Sequence, residues 1–116
     1  MIHEVIVEND PVTLRCPHSV GGAVTWSRES GGRTVDIITS AGDNDINHIK
    51  DPFKHYSLLA DKSLHIIKPN VSFSGRYLCN NEPAVDLTVI PSGNIKLYLG
   101  SSVLFPLHVK IKSLKP

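Results

Sequence analysis

Apolar and polar residues alternate in many short runs along this chain, which is the period of a β-strand. The clearest runs are residues 12–16, 64–66, 77–79 and 85–89. Clusters of Gly, Pro, Asn, Asp and Ser separate them, as at residues 30–32. No window has the period of an amphipathic helix. Short strands joined by closely spaced turns predict an all-β sandwich or barrel.

The two cysteines, Cys16 and Cys79, are 63 positions apart and lie in two of these runs. They are too few for a structural zinc site, and neither belongs to a C-x-x-C pair. One long-range disulfide or two buried free thiols remain possible. A disulfide closing so long a loop stabilises a protein by roughly 4 kcal/mol, which is a large share for a small domain.

Length and charge narrow the class of protein. With 116 residues and a formal net charge of +1, the chain fits one small domain and lacks the basic surplus of a nucleic-acid or membrane-surface binder. Its longest uncharged stretch near the C-terminus, residues 97–109, contains Gly100 and Pro106 and is too short to span a membrane. The N-terminus has no basic start and no apolar core, so we do not interpret it as a signal peptide. If the parent protein is secreted or membrane-bound, we expect the chain to be an excised piece.

Motifs that would indicate chemistry are missing from the sequence. The six histidines show no pair at i, i+2 or i, i+4, so we expect no metal site. There is no G-x-S-x-G elbow, no Gly-rich phosphate loop after a strand and no H-E-x-x-H motif. We therefore expect neither enzymatic activity nor a cofactor. An enzyme would instead need titratable groups with perturbed pKa values in one pocket.

One set of residues combines cysteines, aromatic residues and apolar positions in a specific order. A Cys is followed by a Trp ten positions later, and a Gly-x-Tyr-x-Cys run closes the set. The positions are Val12, Leu14, Cys16, Trp26, Leu64, Ile66, Ser74, Gly75, Tyr77 and Cys79. With these residues the chain resembles the immunoglobulin superfamily over about residues 4–91. The resemblance implies a disulfide between strands B and F, with Trp26 on strand C and Tyr77 as the tyrosine corner. A disulfide in turn implies an oxidising, extracellular setting.

Spacing suggests the subtype within that family. The 37 residues between Trp26 and Leu64 leave room for extra edge strands, which is typical of a V-type (V-set) domain. We place strand C′ near residues 33–38, C″ near 44–48 and D near 55–59. The expected fold is thus a two-sheet Greek-key sandwich of V type.

Departures from the family pattern limit what can be inferred. Phe73 stands where the family usually has an acidic residue that pairs with a basic residue on strand D, so we expect an apolar contact there. Strand G has no Gly-x-Gly bulge, which argues against antibody-like chain pairing. The F–G connection, residues 80–83, is too short for a long antigen-reading loop.

The expected function is binding of a protein ligand by the ectodomain of a cell-surface immune-type receptor or coreceptor; the alternative is a homophilic cell-adhesion module. With Trp26, Tyr77 and Cys79 inward, their neighbours should point outward, and an outward apolar cluster would indicate an interface. The candidate partner face comprises Thr25, Ser27, Ile37, Ile38, Arg76, Leu78 and Asn80. Asn70-Val71-Ser72 is a candidate N-glycosylation sequon on a surface turn.

The C-terminal tail, residues 92–116, does not resemble a linker. Residues 95–99 alternate, and residues 103–107 follow a Gly-Ser-Ser turn, so the tail resembles the first strands of a second, truncated immunoglobulin domain. Two strands alone are only marginally stable in water. We therefore expect domain one to end at residue 91, and the tail to form a homodimer through residues 95–107 or to fold back on its own domain.

Overall fold

The computed structural model describes residues 1–17, 21–41 and 44–92, together with the backbone of Val109–Ile111. Within these residues ten strands form two sheets that pack face to face. The strands are β1 (Ile2–Val7), β2 (Val12–Leu14), β3 (Thr25–Ser30), β4 (Arg33–Ala41), β5 (Asn44–Asn47), β6 (Tyr56–Leu58), β7 (Leu64–Ile66), β8 (Gly75–Cys79), β9 (Glu82–Ile90) and β10 (Val109–Ile111). The 3-10 turn Val71–Phe73 precedes β8.

Strand order divides the sandwich into a large and a small sheet. The large sheet runs β10-β1-β9-β8-β3-β4-β5, and the small sheet runs β2-β7-β6. β1 lies parallel to both β9 and β10, and the other pairs are antiparallel. No helix in the described ranges is long and apolar enough to cross a membrane.

Two tight hairpins follow directly from turn residues in the sequence. Gly31 and Gly32 join β3 to β4, and Asn80 and Asn81 join β8 to β9; all four have positive φ. Two-residue loops with positive φ at both positions match the right-handed twist of the strands they connect, and Gly and Asn reach that conformation at least cost. These hairpins set the register of the strands in the middle of the large sheet.

Gly75 begins β8 at a position that requires glycine. Its φ is +152°, and a Cβ built there would lie 3.0 Å from the carbonyl oxygen of Glu29. β8 and β3 therefore approach closely at this end of the sheet. That approach brings Tyr77 directly opposite Arg28.

The core lies between the sheets and is built from alternate residues of both. Trp26, Leu14, Leu64 and Ile66 are fully buried there, and Cys16 packs against the same cluster. Burying large apolar side chains is the main stabilising contribution in a domain of this size. The alternation of apolar and polar residues in the sequence therefore identifies these core positions, and the all-β sandwich agrees with the expected fold class.

The tail expectations fall mostly outside the described residues. The predicted strands at 95–99 and 103–107 lie beyond them. Further on, Val109–Ile111 forms β10, which extends the large sheet by pairing with β1 of the same chain. For these three residues, the tail contacts its own domain.

Candidate protein-binding surface

The outer face of the large sheet, which points away from the small sheet, carries the polar side chains of its central strands. Alternation places Ser27 and Leu78 on this face, because their neighbours Trp26, Tyr77 and Cys79 lie in the core. The outer face, as used below, comprises His3, Thr25, Ser27, Glu29, Asp36, Thr39, Arg76, Leu78 and Asp86.

A row of three side chains with alternating charges, which ends in the imidazole of His3, crosses four strands of the outer face. Glu29 pairs with Arg76, Arg76 with Asp86, and Asp86 with His3. The Arg76 Nε donates to Asp86 Oδ1 at 2.9 Å, and His3 Nε2 lies 3.8 Å from Asp86 Oδ2. The hydrogen bond to Asp86 and the charge of that carboxylate raise the pKa of Arg76 above its usual value. Arg76 is therefore a fixed cation, with its side chain 41% exposed.

Ser27 and Leu78 form a second, less accessible row. They lie opposite each other on β3 and β8, and both are buried, Leu78 being 8% exposed. The Ser27 hydroxyl donates to Asp36 Oδ1 at 2.8 Å, so the exposed carboxylate of Asp36 covers the serine. Leu78 is thus on the outer face, yet it offers little apolar surface to a partner.

Hydroxyl and imidazole groups form the third row, nearest the β8–β9 turn. The Oγ1 atoms of Thr25 and Thr39 are 2.8 Å apart, and Thr39 Oγ1 is 2.7 Å from His48 Nε2. The exposed Asn80 accepts a hydrogen bond from the Thr25 backbone N–H through its Oδ1 at 2.8 Å. This end of the outer face is uncharged and rich in hydrogen-bonding groups.

Ile37 and Ile38 do not belong to the partner face, which corrects the sequence interpretation. β4 contains one extra residue opposite the Trp26–Ser27 step, since Trp26 pairs with Ile38 and Ser27 with Asp36. A bulge sets two consecutive residues against one on the neighbouring strand. Both isoleucines therefore join the core, with exposed fractions of 3% and 2%.

The core motif residues and the cysteines meet beneath this face. Cys16 and Cys79 are joined by a disulfide, with their Cα atoms 5.4 Å apart. The indole N–H of Trp26 donates to the Lys62 carbonyl oxygen at 2.9 Å. The Tyr77 hydroxyl donates to the Phe73 carbonyl oxygen at 2.7 Å, which is the contact of a tyrosine corner, and burial raises the Tyr77 pKa.

A groove at the edge between the sheets is a second candidate surface, and the sequence interpretation missed it. Its volume is about 310 Å³. Phe73, at the position of the family's acidic residue, packs against Tyr56 and His55, with ring centroids 5.4 and 5.1 Å apart. Phe53 stands beside His55 and is 78% exposed. The groove is lined by Arg28, Ile49, Lys50, Asp51, Pro52, Phe53, His55, Tyr56, Ser72 and Phe73.

Asp51 organises the loop that forms one wall of the groove. Its carboxylate accepts hydrogen bonds from the backbone N–H groups of His55 and Tyr56, each at 2.9 Å, and Oδ1 lies 3.2 Å from the His55 ring. Burial acts to raise the pKa of Asp51, but the hydrogen bonds from Tyr56 and His55 outweigh it and hold the pKa below its usual 3.8. The Asp-Pro pair is a turn signal that could have located this loop.

We expect Asp51→Asn to alter the pH dependence of stability. Because the pKa of Asp51 is lower in the folded state, its ionised form stabilises the fold above pH 3.8, and that contribution disappears as the pH falls through the folded-state pKa. Loss of the charge-assisted bonds should cost about 1.5–3 kcal/mol at neutral pH and progressively less below pH 3.8. Urea denaturation across pH measures the difference.

The exposed Asp45 on β5 supplies a matched control for that experiment. Asp45→Asn removes the same charge without removing the loop's hydrogen bonds. The stabilising role assigned to ionised Asp51 would be contradicted by either of two results. One is a difference in unfolding free energy between Asp51→Asn and the wild type that does not depend on pH. The other is the same pH-dependent difference in Asp45→Asn.

No metal centre accompanies these surfaces in the described part of the chain, where no three His, Cys, Asp or Glu side chains cluster. The sequon residue Asn70 is exposed and lies in the turn before β8.

Comparison with known proteins finds solved structures that are similar to this chain. No family model matches the chain, and no curated protein sequence does either. One similar structure comes from work on parallel homodimers of the extracellular domains of the voltage-gated sodium channel beta4 subunit and their role in cell–cell adhesion. Its sequence is 17% identical to this chain, and the TM-score is 0.58. The match covers 91% of this chain and 92% of that chain. Another, from work on multimeric cell-adhesive interactions of VGSC beta subunits, is 19% identical with a TM-score of 0.58, covering 76% and 90%.

At this identity the likeness concerns the fold. Two packed β-sheets, the inter-sheet disulfide and these neighbours agree with the fold expected from the sequence motif. The chain therefore folds as an immunoglobulin-like β-sandwich.

Proposed function

We propose that this chain is a V-type, protein-binding ectodomain module that acts at the cell surface through the outer face of its large sheet. The row Glu29–Arg76–Asp86–His3 carries the proposal, because the charges of Glu29, Arg76 and Asp86 alternate in sign, and ordered charges give an interface specificity and register. The V-type assignment is supported by β4 and β5, which extend the large sheet as strands C′ and C″ do in variable-type domains.

An extracellular location and a function without chemistry fit the same observations. The disulfide suits an oxidising compartment. The sequence lacks catalytic motifs, and the outer face is a sheet surface rather than a pocket. We propose that residues 1–91 form this module and that residues 92–116 are a C-terminal extension resembling the first strands of a second, truncated immunoglobulin domain.

Two kinds of partner are consistent with the outer face. Homophilic adhesion is favoured by the structural neighbours, one of which is described as a parallel homodimer with a role in cell–cell adhesion and the other by its multimeric cell-adhesive interactions. A receptor or coreceptor that binds a different protein, including one of immune type, is the second candidate, and it is favoured by the polar row Thr25–Thr39–His48, which presents hydroxyl and imidazole groups at one end of the face.

Reversing the charge at Arg76 should test the outer face. Arg76→Glu places two carboxylates where an ion pair was, so we expect the Kd for the partner to rise at least about tenfold, or roughly 1.4 kcal/mol. Beads coated with the full chain should aggregate if binding is homophilic. If the beads do not aggregate, the number of coated beads that bind to each of a panel of cell types measures heterophilic binding.

Arg15→Glu supplies the control, because Arg15 is exposed and follows β2 in the small sheet. It changes the net charge equally without touching the outer face. Equal binding by wild type and Arg76→Glu, or equal loss in the two variants, would overturn the assignment of the outer face. Aggregation of wild-type beads would select adhesion over the receptor.

A further inference from the structure

The turn before β8 presents an acceptor for covalent modification. Asn70-Val71-Ser72 is the chain's only Asn-x-Ser/Thr sequence, and all three residues are exposed. Asn70 has extended backbone angles and caps the 3-10 turn Val71–Phe73. The sequence motif alone does not establish that the asparagine is accessible; in the structure it lies on an open turn.

Hydrogen bonds within the turn bring its two chemically important side chains together. Asn70 Oδ1 accepts from the Ser72 backbone N–H at 2.8 Å and from the Ser72 hydroxyl. Both bonds use the amide oxygen. The amide nitrogen, Nδ2, makes no hydrogen bond to the described residues and is the atom that an N-linked sugar would occupy. A sugar on Nδ2 would therefore leave the cap of the turn intact.

The position of the turn also leaves room for a large substituent. The Asn9 backbone N–H donates to the Pro69 carbonyl oxygen at 2.7 Å, and Ser92 N donates to Glu8 Oε1 at 3.2 Å, so Asn70 lies at the end of the sandwich where β9 ends. The β8–β9 hairpin lies at the opposite end, where Asn80 Nδ2 donates to the Ala23 carbonyl oxygen.

We infer that Asn70 carries an N-linked oligosaccharide, an inference that rests on the proposed extracellular location. In the secretory pathway the donor is an oligosaccharide linked to a lipid pyrophosphate. Asn70 Nδ2 forms a bond to C1 of the first sugar and loses one proton, while the bond from C1 to the pyrophosphate oxygen breaks and the lipid pyrophosphate leaves with that electron pair. The glycan covers Val71, which is 45% exposed, beside the groove wall formed by Ser72 and Phe73.

The test uses the full chain, directed by an added signal peptide into the secretory pathway of cultured eukaryotic cells. We expect wild-type protein to run faster on a gel after treatment with peptide N-glycosidase F, and mass spectrometry to find Asp at position 70 after the enzyme has acted. Asn70→Asp should run at the position of the treated protein and be insensitive to the enzyme. Its carboxylate can accept both bonds from Ser72, so the variant is expected to fold.

Two variants act as controls. Ser72→Thr preserves the acceptor sequence and should keep the glycan, and Asn80→Asp makes the same chemical change at an exposed asparagine outside any sequon and should also keep it. The inference would be overturned if the enzyme left the gel mobility of the wild-type protein unchanged and the wild type migrated at the same position as Asn70→Asp. This outcome must hold for protein from the cell lysate as well as from the medium. That result would not affect the bead-binding test, which concerns the outer face.

Discussion

Replacing both cysteines, as Cys16→Ala with Cys79→Ala, should lower the free energy of unfolding by about 4 kcal/mol, because the disulfide closes a loop between residues 63 positions apart. That loss approaches the lower end of the total stability of a small domain, roughly 5 kcal/mol. Urea denaturation followed by far-ultraviolet circular dichroism measures the change.

Reduced wild-type protein is the control for that experiment, since reduction opens the loop without removing side-chain atoms from the core. We expect reduction and double substitution to destabilise the domain by similar amounts. A loss below about 1 kcal/mol in both would mean that the disulfide contributes little to the difference between folded and unfolded chains.

Truncating the central tryptophan should have a comparable effect. Trp26 is fully buried, pairs with both Ile38 and Cys79, and hydrogen-bonds to the Lys62 carbonyl oxygen. Trp26→Ala should therefore cost about 3–5 kcal/mol through the cavity and the lost bond. Because Trp26 is the chain's only tryptophan, circular dichroism should replace fluorescence as the probe.

Trp26→Phe separates the two parts of that cost. It keeps most of the apolar volume and removes the indole N–H, so it should destabilise the domain by about 1–3 kcal/mol, as expected when a buried carbonyl loses its donor. If Trp26→Ala cost less than about 1 kcal/mol, the placement of the core would be wrong.

Much of the sandwich could be predicted because strand period is a local property. Alternation places Leu14, Leu64 and Ile66 inward, and Gly31-Gly32 marks a hairpin, with no knowledge of what lies across the sheet. The edge strands expected near residues 33–38, 44–48 and 55–59 correspond to β4, β5 and β6. Turn residues and period were sufficient for these elements.

The partner face was harder to predict because a bulge interrupts the period. Ile37 and Ile38 of strand C′ are expected to join Leu78 on the outward face, yet the extra residue in β4 turns both inward. A second register shift, between Tyr77 and Leu78, leaves Ala84 as an extra residue in β9, and Ala84 is also in the core. Bulges depend on the twist and contacts of the partner strand, which lies far away in sequence.

The sequence by itself determined most strands of the sandwich, the inward residues Leu14, Leu64 and Ile66, the two hairpin turns and the motif that links Cys16, Trp26 and Tyr77, since each follows from local period, turn chemistry or residue type. Only the tertiary structure decided the charged row across β3, β8, β9 and β1, the aromatic groove around Phe73, and the pairing of β10 with β1. These features bring together residues far apart along the chain, and their register is fixed by packing the whole sandwich rather than by any one segment.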